Sequence, residues 1–122
     1  MKNHTLTKSE MQLMNILWEM PRGGSVNSIL EGYPEPHPAY TTVATFLRIL
    51  LQKGFVESHK GTGKQLVYTP LMTKEQYRRR VMAEVKNNFF DGSAKSLLDF
   101  FVREERLTAA EVAELLAMIK TE

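Results

Sequence analysis

Residues 40–69 read YTTVATFLRILLQKGFVESHKGTGKQLVYT, and the succession of patterns in this stretch decides the fold. Stepping about 100° per residue from Tyr40 to Lys53 puts Val43, Phe46, Leu47 and Leu50 on one face, with Thr41, Thr45, Arg48 and Gln52 in a narrow stripe opposite. The spacing predicts an amphipathic helix closed by Gly54, the residue type best suited to a left-handed helix cap. Phe55 to His59 and Gln65 to Thr69 then carry strand-forming side chains. They enclose Lys60-Gly61-Thr62-Gly63-Lys64, a hairpin turn signal with a lysine on each shoulder.

Upstream, Thr7-Lys8-Ser9-Glu10 is a capping box, and Leu13, Ile16, Leu17 and Met20 continue it as an amphipathic helix that Pro21 ends. After a Gly23-Gly24 turn, Ser25 to Glu31 has room for about two helical turns before Gly32 and the Pro34 to Pro38 stretch interrupt it. That stretch stiffens the connection to the next helix. Helix, short helix, longer helix and hairpin, in that order, is a winged helix-turn-helix.

The outer stripe of the third helix contains no carboxylate. Its hydroxyls, amide and guanidinium are the groups that hydrogen-bond base edges and phosphates. Every amphipathic helix has a polar outer face, so the stripe alone does not separate a DNA-reading surface from a solvated one. The winged-helix context separates them. Tyr40, Thr41, Thr42, Thr45, Arg48 and Gln52 are the expected DNA-facing residues. Among them Arg48 is suited to bidentate contact with guanine or phosphate, the threonines to backbone and thymine methyls, and Gln52 to the periphery. Lys60 and Lys64 would neutralise flanking phosphates without reading sequence.

Composition changes near Leu71. Glycine and proline cluster before it, together with seven basic against five acidic residues, whereas nine bases balance nine acids after it. Residues 1–71 are expected to form the winged-helix domain and 72–122 a three-helix dimerisation region, giving a mainly α fold with one small β-hairpin. Helices are expected from Thr73 to about Asn88, from Ser93 to Val102, and from a second capping box at Thr108 to about Lys120. Tyr77, Val81, Leu97, Leu98, Phe101, Val112, Leu115, Leu116 and Ile119 stripe these helices. So few helices leave apolar surface uncovered, which a second copy would bury; packing onto the N-terminal part of the same chain is the alternative. Arg78-Arg79-Arg80 point in different directions and are read as a solvated face.

Of the 122 residues 43% are hydrophobic and 25% charged, with a net charge of +2 and no cysteine, which places the chain among soluble globular proteins. The absence of cysteine excludes disulfides, thiolate metal sites and cysteine nucleophiles, and fits a cytoplasmic setting. The polar start and the short apolar runs argue against export and membrane insertion. His4, His37 and His59 share no ligand spacing, so they are read as solvent-facing. Gly61-Thr62-Gly63-Lys64 lacks the frame of a phosphate-binding loop, and no nucleophile elbow occurs. No cofactor, metal or enzymatic activity is expected.

Leu6-Thr7-Lys8-Ser9-Glu10 with Ile16-Leu17-Trp18, then Tyr40 to Arg48, Lys53-Gly54-Phe55-Val56 and Tyr68-Thr69-Pro70-Leu71, together resemble the penicillinase and methicillin-resistance repressor family (BlaI/MecI type) over essentially the whole length. The resemblance implies a dimeric winged-helix repressor on palindromic promoter DNA, often upstream of β-lactam-resistance or related stress genes. Thr42 to Thr45 lie in the segment that matches the family's recognition helix, and Ile49 stands where a basic residue is common. Related copper-responsive repressors carry a C-terminal cysteine cluster, which this chain lacks. The resemblance also implies release by proteolysis, triggered through a membrane-bound sensor, at an Asn-Phe bond preceding a Val. Here the matching position is Phe100-Phe101-Val102, and the only Asn-Phe pair is Asn88-Phe89. A winged-helix protein-interaction module without DNA is the rival reading.

Overall fold

The computed structural model describes residues 5–120, with side chains as far as Met118. Helix α1 (Lys8–Trp18) opens on the reciprocal capping box: Glu10 N–H donates to Thr7 Oγ1 at 3.2 Å, and Thr7 N–H donates to Glu10 Oε1 at 2.9 Å. Helix α2 (Val26–Glu31) starts at Ser25, whose Oγ accepts from Ser28 N–H. Helix α3 (Tyr40–Lys53) ends on Gly54 with φ +84°. The following amide, Phe55 N–H, reaches back to Leu50 O at 3.0 Å. This bond recruits Phe55 into the helix cap, so strand β1 begins one residue later than expected. The hairpin is β1 (Val56–Lys60) paired antiparallel with β2 (Leu66–Pro70), in register from Val56 opposite Pro70 to Lys60 opposite Leu66.

Leu13, Met14, Leu17, Ile29, Val43, Leu47 and Leu50 lose all solvent contact where α1, α2 and α3 meet, and Phe55, Val56 and Tyr68 extend that core under the hairpin. Phe46, expected among them, is only half-buried. The hairpin is also pinned from a place that local sequence patterns do not reveal. Gly24 forms an isolated bridge to Tyr68, donating to its carbonyl at 3.0 Å and accepting from its amide at 2.8 Å. Gly23, at φ +74°, leaves no room for a side chain because a Cβ would collide with the Tyr68 carbonyl. Gly23→Ala is therefore expected to destabilise the fold by about 1–3 kcal/mol, and Gly63→Ala, at φ +75° in open space, by about 1 kcal/mol. Urea denaturation of the two variants checks the ranking.

A charged pair lies at the edge of this core. Glu10 is only 4% exposed, and Lys53 Nζ donates to its Oε1 at 2.7 Å, tying the first turn of α1 to the last turn of α3. Burial pushes the Glu10 carboxyl up; the Lys53 hydrogen bond, the Thr7 amide and the lysine's charge outweigh it and hold the group below its ordinary value.

The chain divides into two compact units at Arg78–Arg79, beyond the boundary expected at residue 71. Helix α4 (Lys74–Phe89) begins in the first unit, on a capping box between Thr73 and Gln76, and ends in the second. Tyr77, assigned above to dimerisation, belongs to the first unit's core. It is 7% exposed, accepts Leu6 N–H on its hydroxyl at 2.8 Å, and packs edge-on to Phe55 with ring centroids 5.6 Å apart. An aromatic ring with a hydroxyl that finds a buried partner gains more there than in an apolar seam. Trp18 is half-buried and donates its indole N–H to Met72 O at 2.9 Å.

The second unit contains α5 (Ala94–Glu104) and α6 (Ala109–Lys120). Ser93 caps α5, and Thr108 forms a capping box with Glu111 at the start of α6. Among the described residues none after Tyr77 is buried, and Phe89 and Leu98 are 76% and 63% exposed. Val81, Leu97 and Val112 are half-buried, whereas Phe101, Leu115 and Leu116 are exposed; the side chain of Ile119 lies outside the described residues, as does His4. Arg78 and Arg79 are exposed, and Arg80 is half-buried.

Candidate nucleic-acid interface

Helix α3 turns Val43, Leu47 and Leu50 into the core, and that burial forces the opposite stripe outward. Tyr40, Thr41, Thr42, Arg48 and Gln52 are exposed, and Lys60 and Lys64 stand exposed at the wing tip. Thr45 departs from this pattern. It is half-buried, and its hydroxyl donates to Thr41 O at 2.9 Å, one turn back along the helix. The hydroxyl hydrogen is thus engaged by the backbone, which leaves the methyl group and an oxygen lone pair for any partner. Ile49, where the resemblance leads one to look for a base, is half-buried.

The hairpin folds back beside the N-terminal ends of α2 and α3. Between them lies a cleft of about 400 Å³, with Ser25, Asn27, Tyr40, Lys64 and Gln65 among its walls and no carboxylate in its lining. Asn27 and Gln65 were not legible as interface residues. Asn27 sits in a six-residue helix and Gln65 beside a turn, and the Gly24–Tyr68 bridge ties the wing to the segment that leads into α2. Ser25, which caps α2 by accepting from Ser28 N–H, is of a residue type that favours helix starts and so marks where α2 begins. Helix α3 starts without a side-chain cap and without an acid in its first turn. The positive end of its dipole therefore adds to the lysines rather than being neutralised. The wing does carry one exposed acid, Glu57, which accepts from Thr69 Oγ1 at 3.5 Å.

Neither histidine in the described region shares a metal site: His59 is exposed on β1, and His37 lies 3.5 Å from the Glu35 carboxylate in the α2–α3 connection. No cluster of three or more potential metal ligands occurs among the described residues. No helix among the described residues is long and apolar enough to cross a membrane.

The profile of the penicillinase repressor family matches residues 6–121. This chain belongs to the penicillinase repressor family. It is similar to the penicillinase repressor of Bacillus licheniformis, with 24% identity over 115 residues that cover 94% of this chain and 89% of the relative. It is also similar to the methicillin resistance regulatory protein MecI of Mammaliicoccus sciuri and of Staphylococcus aureus strain N315. Each is 28% identical over 115 residues, covering 93% of this chain and 92% of the relative. The match runs through both units, so the penicillinase repressor family accounts for the helices after Arg78 as well as for the winged helix.

Proposed function

We propose that this protein is a cytoplasmic, homodimeric transcriptional repressor that holds palindromic operator DNA with two winged helices. In this reading α3 enters the major groove, Arg48 contacts a guanine edge or phosphate, and Thr41, Thr42 and Thr45 meet backbone and thymine methyls. Gln52 lies at the periphery, and Tyr40 borders the cleft that receives backbone. The observation that carries the proposal is the carboxylate-free, outward-facing ridge of α3 beside a cleft walled by the basic wing. A protein-partner surface has no need to exclude acids in this way.

A mobility shift of DNA from upstream of the protein's own gene, repeated over a range of salt, tests the reading. Binding that weakens steeply as salt rises supports it. Salt-insensitive association with a protein, without any shift of DNA, favours the interaction module. Neutralising Lys64 as Lys64→Gln is expected to weaken specific and random duplexes alike and to lower the slope of log K against log salt by about 1.

Dimerisation rests on the second unit, whose apolar side chains Leu98, Phe101, Leu115 and Leu116 are exposed in a single copy. Two recognition helices about 34 Å apart would then match half-sites one DNA turn apart. Sedimentation at micromolar concentration is expected to give a dimer, and Leu98→Asp combined with Leu115→Asp a monomer. Loss of the dimer, or cutting of the chain, would release the operator. Phe100 and Phe101 lie inside α5, so a sensor protease acting there must first unwind that helix. Mass mapping after incubation with a cognate sensor decides the point, since an intact segment from 95 to 105 would refute the site.

A further inference from the structure

The cleft of about 400 Å³ between the wing and the starts of α2 and α3 holds a tyrosine hydroxyl without a partner. Lys64, Leu66 and Tyr68, alternate residues of the wing, all line it, whereas Val67 does not. Tyr68 is only 9% exposed, yet among the described residues no hydrogen bond engages its hydroxyl. The three buried tyrosines differ in this respect. Tyr77 accepts the Leu6 amide, and the Tyr33 hydroxyl is sealed from solvent. The Tyr68 hydroxyl is not sealed and opens on the cleft. A tyrosine buried to this degree usually finds a partner for its hydroxyl, because an unmade hydrogen bond costs more inside a fold than at its surface.

We infer, resting on the DNA-binding reading above, that the cleft seats one phosphodiester of the bound duplex with its deoxyribose, and that Tyr68 donates its hydroxyl hydrogen to that phosphate. Phosphodiester oxygens only accept hydrogen bonds. The cleft offers donors to match them: the Lys64 ammonium, the Asn27 and Gln65 amides and the Tyr40 and Tyr68 hydroxyls, with no carboxylate in the lining. Ser25 is not one of these donors, since its hydroxyl already donates to Ser28 Oγ and accepts from Ser28 N–H.

The lysine supplies charge, and the tyrosine supplies direction. Packing fixes its ring, and two hydrogen bonds pin its backbone to Gly24. The cleft has room for more than a phosphate group, and Leu66, 44% exposed in its wall, offers an apolar surface for the sugar to cover. A contact of this kind sets how deeply α3 enters the groove and reads no sequence.

The test uses the full chain, the duplex footprinted upstream of its own gene and a random duplex of equal length, with affinities from anisotropy titrations. Tyr68→Phe keeps the ring and removes only the hydroxyl. Its Tm should hold or rise slightly, while both duplexes should bind about threefold to tenfold more weakly. No charge is lost, so the slope of log K against log salt should keep its wild-type value, unlike the drop of about 1 expected for Lys64→Gln. Duplexes with single phosphates replaced in turn by an uncharged methylphosphonate locate the contact. One position per half-site should weaken the wild type, and at that position Tyr68→Phe should add little further loss. A lower Tm, an unchanged affinity in Tyr68→Phe, or equal losses at every methylphosphonate position would each overturn the inference and leave the repressor reading standing. A wild type that binds neither duplex would overturn both. Saturable binding of free deoxythymidine monophosphate below millimolar concentration, lost in Tyr68→Phe, would assign the cleft to a small effector and overturn the duplex as its occupant.

Discussion

Arg48→Ala should lower affinity for the specific operator by about 1–3 kcal/mol, roughly fivefold to 150-fold, while leaving the fold intact. Arg48 is exposed on the outward face of α3, and none of the ion pairs seen among the described residues involves it. Its removal therefore breaks no ion pair among the described residues, and the loss is expected to come from the DNA. A guanidinium presents paired donors in a plane that matches the two acceptors of guanine in the major groove, a geometry that the point charge of lysine does not reproduce. Arg48→Lys should accordingly keep most of the non-specific binding and lose most of the discrimination between operator and random duplex. Thr45→Val is the informative companion. With its hydroxyl already engaged by Thr41 O, Thr45 offers a methyl group, so valine should bind nearly as the wild type does and serine worse. A competition gel shift with operator and scrambled duplex measures all four proteins. An unchanged specificity ratio for Arg48→Ala would remove that residue from base recognition.

The largest effect on stability is expected at Lys53. Replacing it by methionine leaves Glu10 buried without its cation, and breaking a buried pair from one side costs about 3–5 kcal/mol. Glu10→Gln keeps an acceptor for the Thr7 amide and should cost less, and the double variant should recover part of the loss. The pH dependence identifies the cause. In the wild type the Glu10 carboxyl is held below its ordinary value despite burial. The folded state therefore binds that proton less readily than the unfolded chain does. The stabilisation is fully present above the ordinary carboxylate value and disappears as pH falls through the lower, folded value. In Lys53→Met, burial acts unopposed by the lysine and raises the carboxyl. The sign reverses: the variant should gain stability on acidification from neutral pH, whereas the wild type keeps this stabilisation down to the ordinary carboxylate value and loses it only below. Urea midpoints between about pH 2.5 and 7.5 measure both slopes. Parallel slopes would show that the Glu10–Lys53 pair contributes nothing.

The same pair explains why the N-terminal half was only partly readable. Glu10 was legible as the closing residue of a capping box, because that role depends on residues three apart. Its second role, as the partner of a lysine 43 positions away, left no local trace. Tyr77 was misassigned for a related reason. Tyr77 and Val81 do share one face of α4, but whether an apolar face turns to its own core or to another copy depends on what the rest of the chain leaves open. Phe55 and the Leu6 amide had left a place for a ring with a hydroxyl.

The candidate interface divides along the same line. The acid-free stripe of α3 follows from helical periodicity, and the basic wing follows from a turn flanked by lysines. The cleft between them required the Gly24–Tyr68 bridge, and the engagement of Thr45 required a choice among rotamers. What the residue order by itself determined was the sequence of elements and their inward faces, since caps, turns and amphipathic period act over at most one or two helical turns. Tertiary structure alone decided where the first unit ends, which charges are buried and which polar groups stay free. Those outcomes depend on packing between segments distant in the chain, where burial multiplies the energy of each polar group and only the assembled neighbours decide its partner.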